Sequence, residues 1–317
     1  MASNLLKFHI HRIRNPYSES LCLQHDRSQF QTISCRPPGR QTIYASLSSS
    51  APPASRDEAI LQAKTCIFTT LERPINNNPK LTGKLKKLKQ PRFRVEIPVV
   101  DDSPTSLIQL AEEVFGDVPI KRKGSKVKIA IIWPEAALAE AASQSFKSNS
   151  SNQAEHTDMS EIAENRILNA ADVAVVFAPE QKHLAAIKSV ADAVSPKPVL
   201  VFNPKWAFED EGSFGEMSSF VASFDVIYAF MGLEVKGILS KKRGMVFKYT
   251  RDGVVSGEKW SVLVEEDGEM KVVSKFTARP SIGEVENVLY NLMAINSPVT
   301  KSAKFLKDLV SNVTGKK

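Results

Sequence analysis

Cysteine is scarce in this chain: Cys22, Cys35 and Cys66 are the only thiols among 317 residues. If a leader ends near Ala45, Cys66 stands alone, which excludes an intramolecular disulfide and a cysteine-rich zinc site. Cys66 falls beside the apolar stripe of a helix, where it is expected to pack as a small hydrophobe. Histidine is as thin, five in all, and beyond residue 45 only His156 and His183 are left. His156 reads as a polar-loop residue and His183 as a first-turn helix residue, so neither suggests a metal pair. Glycine numbers 14 and forms neither G-x-x-x-x-G-K-[ST] nor G-x-G-x-x-G, so a P-loop or dinucleotide fingerprint is missing. No G-x-S-x-G nucleophile elbow occurs. The acidic run Glu209, Asp210, Glu211 with Glu216 lacks calcium-loop spacing and reads as a solvated loop. These gaps leave no catalytic residue, no metal and no cofactor to expect. Nor does any apolar run approach the ~20 residues of a membrane-spanning helix.

Charge of one sign is abundant. The net charge is +7, and residues 1–45 supply more than half, with six Lys or Arg against Glu19 and Asp26. That segment lacks a long apolar run and is rich in Ser, Gln and Arg, the composition of an organellar transit peptide, with a disordered cytosolic tail as the alternative. The remaining chain has an ordinary balance that asks for no polyanionic partner, and nucleic acid is not expected.

Patterning beyond the leader predicts an α/β fold: a three-layer, mostly parallel sheet covered by helices and extended by a C-terminal antiparallel meander. Residues 46–90 hold a helix, with Ile60, Ala63, Ile67 and Leu71 on one face, and a basic connector. Residues 91–295 form the α/β domain. RFRVEIPV opens it as a strand, and Ser103-Pro104 starts a helix with the stripe Leu107, Leu110, Ala111, Val114 and Phe115. KVKIAIIW, DVAVVFA and PVLVF then alternate with amphipathic helices, as strands buried on both faces do. SNSSNQAEHTD reads as a polar gap. After DVIYAF come MVFKYT, KWSVLVEE and MKVVSKF, the strands of a meander. Ser281 and Glu284 form a capping box for a last helix carrying Val285, Val288, Leu289 and Leu292 inward. Residues 296–317 are a basic tail.

Three strands end at proline: Trp133-Pro134-Glu135, Ala178-Pro179-Glu180 and Asn203-Pro204-Lys205. Ligands bind at the carboxyl ends of strands in open α/β sheets, so this edge is the candidate ligand or partner edge. The structural alternative is that Pro takes the first helical position and Glu complements the helix dipole. That alternative fits the first two junctions better than the third, which leaves Asn203, Trp206 and Trp133 as the edge residues to test. Basic runs are the other feature. Lys84, Lys86, Lys87, Lys89 and Arg92 belong to one; Lys121, Arg122 and Lys123 to a second; Lys241, Lys242 and Arg243 to a third. On a shared face they would suit anionic headgroups, an acidic protein or RNA, though RNA would want stacking aromatics and only Phe93 interleaves with them; otherwise they are three solvated loops.

DEAILQAKTCIFTTLE, RFRVEIPV, WPEAALAEAA, KPVLVFNP, FVASFDVIYAF and ARPSIGEVENVL together resemble a plant and cyanobacterial domain-of-unknown-function family. The resemblance covers about residues 55–293. The family includes the Low PSII Accumulation type of chloroplast protein and domains appended to a plastid adenylate kinase. The resemblance implies a chloroplast protein of the stroma or the stromal thylakoid face, which assists photosystem II assembly through contacts with thylakoid or stromal proteins. It implies peripheral membrane contact at most. It supplies no catalytic residue. A small-ligand-binding or enzymatic α/β domain acting on a plastid metabolite or nucleotide is the alternative.

Overall fold

The computed structural model describes residues 10–13, 51–76, 89–97, 103–149, 153–160, 166–207, 209, 211–236, 241–254, 257–266 and 269–295. Strand β1 (Ile10–Ile13) lies within the segment expected to be a transit peptide. Helix α1 (Arg56–Asn76) buries Ile60, Ala63, Ile67 and Leu71, the face its periodicity predicts. Strand β2 (Arg92–Glu96) leads into α2 (Pro104–Phe115), whose Ser103 cap accepts a bond from the Ser106 amide and whose first residue is Pro104. A two-residue-per-strand hairpin, β3 (Lys121–Arg122) and β4 (Ser125–Lys126), precedes β5 (Ile129–Trp133). Then come α3 (Ala136–Asn149), β6 (Ala154–Asp158), α4 (Arg166–Ala170) and β7 (Val173–Phe177). Helix α5 (Leu184–Val194), β8 (Val199–Phe202) and α6 (Ser218–Ala222) complete the alternating part. Strands β9 (Asp225–Lys236), β10 (Lys241–Tyr249), β11 (Trp260–Glu266) and β12 (Glu269–Phe276) precede α7 (Ile282–Ile295).

One large sheet runs β12-β11-β10-β9-β2-β8-β7-β5-β6, with β1 antiparallel to β9. The pairs from β9 through β2, β8, β7 and β5 to β6 are parallel. The pairs from β9 out to β12 are antiparallel. This is the expected parallel sheet with a C-terminal meander. The meander adds to the same sheet because β9 pairs with β2 on one side and β10 on the other.

Helices α1, α2 and α3 cover one face, packing Ile67, Phe115 and Phe146 on Val95, Ile131, Phe177 and Phe202. Helices α4, α5 and α6 cover the other, packing Leu168, Ile187 and Phe220 on Ala130, Val176 and Val201. Helix α7 seats Val285 and Leu289 on Val246, Val262 and Val264. Its Ser281–Glu284 capping box forms as expected.

Two elements differ from expectation. The expected gap SNSSNQAEHTD contains β6, which among the described residues pairs only with β5 and, as an edge strand, carries polar residues on a half-buried pattern. DVIYAF is the first half of the 12-residue β9.

Candidate functional site

The carboxyl ends of the parallel strands carry the three proline junctions, but the prolines do not begin helices. The Ala139 amide bonds to the Glu135 carbonyl, which makes Glu135 the N-cap of α3 and places Pro134 one residue before it. Pro179 stands likewise before Glu180, the N-cap of a short 3-10 turn at Gln181–His183. The expected placement of Pro at the first helical position is thus off by two residues at Pro134 and Pro179; at each the following glutamate supplies the cap. After Pro204 no helix follows directly, because Lys205 turns back and its amide donates to the Pro179 carbonyl at 2.9 Å.

These ends are bonded to one another. Ala178 and Asn203 both hold left-handed backbone, φ 48° and 49°, a conformation in which asparagine is comfortable and alanine is strained. The strain is held by ladder bonds from the Ala178 amide to the Phe202 carbonyl and from the Asn203 amide to the Val95 carbonyl, each 2.8 Å. Asn203 is 5 % exposed, and its Oδ1 accepts the Ile97 amide at 2.7 Å, so its side chain ties the end of β8 to the end of β2. Lys205 Nζ reaches Glu180 Oε1 at 2.8 Å, and Lys182 Nζ reaches Oε2 at 2.9 Å. Hydrogen bonds from Lys205 and then Lys182 hold the Glu180 carboxyl down at about 2. His183 Nδ1 accepts the Glu180 amide at 3.1 Å, and burial lowers its pKa.

The chain leaves β5 toward the β6 edge and leaves β7 toward β8, so the diverging pair of strand ends, where a crevice is expected, is Trp133 beside Phe177. That place is filled. The two rings lie 4.9 Å apart, Trp133 is fully buried, and its Nε1–H donates to His156 Nδ1 at 3.0 Å. Trp206 is buried too, but in the opposite hydrophobic layer, where it meets Phe214 and borders a gap of ≈ 10 Å³ with Arg94 and Leu184. The structure therefore places Trp133 and Trp206 on opposite faces of the sheet, with Asn203 as a tie between strands. It does not gather the three into one exposed surface.

His156, expected in a polar loop and not singled out as a site residue, is instead a half-buried strand residue. It sits on β6, between the rings of Trp133 and Phe146, and burial pushes its pKa down to about 4. Its Nδ1 accepts a bond, so the neutral ring carries its proton on Nε2, which is buried without a partner among the described residues. A cavity of ≈ 400 Å³ opens beside it, lined by Ser143, Phe146, Lys147, Glu155 and Ile167 among others. No apolar alternation in AEHTD announced a strand, so nothing in the sequence marked the site.

The basic runs separate. Lys84, Lys86 and Lys87 lie outside the described residues. Lys89 is exposed just ahead of β2, while Arg92 bonds Gln90 and Ser223 and covers the Phe220 ring. Lys121, Arg122 and Lys123 form the β3–β4 hairpin ahead of β5. Both stretches lie at the amino ends of parallel strands. Lys241 pairs with Lys236, the last residue of β9, so Lys241, Lys242 and Arg243 stand at the opposite, carboxyl end. Among the described residues no group of three or more His, Cys, Asp or Glu is arranged to hold a metal ion. No helix among them is long and apolar enough to cross a membrane.

The family model described as Domain of unknown function (DUF1995) matches residues 53–287. Comparison with curated proteins and with solved structures found no match.

Proposed function

The chain belongs to the family called Domain of unknown function (DUF1995), and from that footing we propose that it is a non-enzymatic chloroplast factor that helps photosystem II accumulate by binding its assembly intermediates. The motif set from DEAILQAKTCIFTTLE to ARPSIGEVENVL and the leader composition of residues 1–45 support the compartment and the role. The observation that carries the reading is the closure of the strand ends. Most of the groups an α/β enzyme would present to a substrate are engaged by the protein itself: Asn203 Oδ1 by Ile97, the Glu180 carboxylate by Lys205 and Lys182, and Trp133 by His156. Asn203 Nδ2 and Trp206 Nε1 are buried and unpaired among the described residues. Such an edge is a rigid platform, suited to surface contact. Affinity capture of the tagged chain from solubilised thylakoids and stroma is expected to recover photosystem II assembly intermediates. Recovery of soluble enzymes alone, or normal photosystem II in a loss-of-function plant, would overturn the reading.

The His156 cavity favours a second reading, a small-ligand site, because its volume lies in the range of ligand pockets. A plastid metabolite or nucleotide that binds there should raise Tm and alter Trp133 fluorescence in the wild type, and do neither in His156→Gln. A thermal shift shared by both proteins would count against that site.

A further inference from the structure

The β3–β4 hairpin breaks a local rule. Its cross-strand pairs are Lys121 with Lys126 and Arg122 with Ser125, and like charges directly opposite destabilise a strand pair. Its turn is well formed, with Lys123 at φ 49° and Gly124 at φ 84°, the two positive φ angles of a tight two-residue hairpin. Arg122 is held by an ion pair to Asp172, whose other oxygen accepts the Lys128 amide at 3.0 Å. Asp172 is therefore occupied in fastening the hairpin, and Asp117 is the only acid in the sequence between Glu113 and Glu135. Lys121, Lys123, Lys126 and Lys128 are exposed. An anchored finger that carries four exposed lysines within eight residues, at a cost to its own pairing, is suited to an external anion.

We propose that this finger is the docking element of the domain on a bilayer bearing anionic headgroups, with the amino ends of the parallel strands turned toward the membrane. Lys89 adds to the same side, because β2 and β5 are three strand spacings apart, roughly 14 Å. The partner chemistry follows from what the finger lacks. Residues 118–128 contain no aromatic ring on which a nucleobase could stack. The exposed large apolar side chains among the described residues, Leu61, Val254, Val272 and Tyr290, all lie elsewhere, so the finger has none of the buried apolar centre of a protein interface. Point-like lysines on a flat projection match a diffuse anionic surface. The inference deepens the reading of a thylakoid-side factor and rests on it only for which membrane is met.

Co-sedimentation of the purified full chain with vesicles tests it. Binding is expected to phosphatidylcholine vesicles containing about one-third phosphatidylglycerol, to disappear at 0.5 M salt, and to be missing with phosphatidylcholine alone, as a headgroup attraction screened by salt requires. Lys121→Ser/Lys123→Ser/Lys126→Ser should lower the partition coefficient by about 100-fold with Tm unchanged or raised. Lys241→Ser/Lys242→Ser/Arg243→Ser, which removes equal charge at the opposite end, should stay within about threefold of wild type. Equal loss in both variants, equal binding to both vesicle types, or binding to single-stranded RNA without binding to vesicles would overturn the proposal. No partner protein is present in this assay, so its failure and the failure of affinity capture are separate results.

Discussion

Asn203 shows how one side chain can pass for a site residue and serve as a joint. It has left-handed backbone, where asparagine is several-fold enriched over other non-glycine residues, and its Oδ1 bonds a buried amide on a neighbouring strand. Asn203→Ala should cost about 2 kcal/mol, from the lost bond plus the backbone strain. Asn203→Gly removes the strain but not the loss of the bond, so it should cost less; urea denaturation of the two variants gives the order. If Ala and Gly cost nothing, the side chain is not the tie described. His156 makes a different prediction at this scale. Its folded pKa of about 4 lies below its ordinary 6.5, so the unfolded chain binds the proton first as pH falls. Its contribution is whole above pH 6.5 and is lost between 6.5 and 4, up to about 3 kcal/mol. Between pH 7.5 and pH 5 the wild type should lose about 2 kcal/mol through this group. His156→Gln should show a flatter slope over the same interval; an unchanged slope would assign the effect elsewhere.

Among the elements, β2 is central yet alternates charged and apolar residues: Arg92, Arg94 and Glu96 on one side, Phe93 and Val95 on the other. The charged side is tolerated because Glu96, 1 % exposed, accepts two bonds from Arg279, at 2.7 and 2.8 Å, and pairs with Arg94 at 2.5 Å. Arg279 precedes α7 and lies over the Trp260 ring, so one fork fastens the last helix and the meander to the parallel part. Arg279→Ala leaves a buried carboxylate short of its main partner and should cost about 3 kcal/mol, with amides of α7 exchanging earlier than those of β7; unchanged α7 protection would contradict the fastening. None of this long-range pairing was legible in RFRVE and ARPS. The long apolar strands and amphipathic helices were legible, since burial on both faces writes itself as a continuous run. β6 was not, because an edge strand needs no such run. The basic hairpin read as a charged loop, since its turn angles and its anchor on Asp172 exist only in three dimensions. The three proline junctions do lie at the carboxyl ends of parallel strands, but whether Trp133 and Trp206 face solvent depends on strand order, which the sequence does not carry.

At the scale of the whole molecule, β9 decides how the chain holds together. Its first residues, Asp225 to Ala229, pair with β2, and its last nine, Tyr228 to Lys236, pair with β10. The layer under α1 draws on Val95 and Phe202 from the parallel part, and on Met245, Phe247 and Leu263 from the meander. Neither part has a hydrophobic layer of its own on that face. Gly253, at φ 68° in the turn after β10, adds a second link. A Cβ there would come within 2.7 Å of the Thr69 carbonyl oxygen on α1, so the turn and the first helix fit only in this approach. Parallel sheet, meander and α1 should therefore unfold together. Urea titration followed by tryptophan fluorescence, which reports Trp133 and Trp206 in the parallel part and Trp260 in the meander, should superimpose on the far-ultraviolet circular dichroism curve. Gly253→Ala should shift both curves to lower urea by the same amount, because it strains a contact that both parts share. Curves that separate, or a Gly253→Ala shift confined to one of them, would mean that the meander folds as a unit apart from the parallel sheet despite the strand they hold in common.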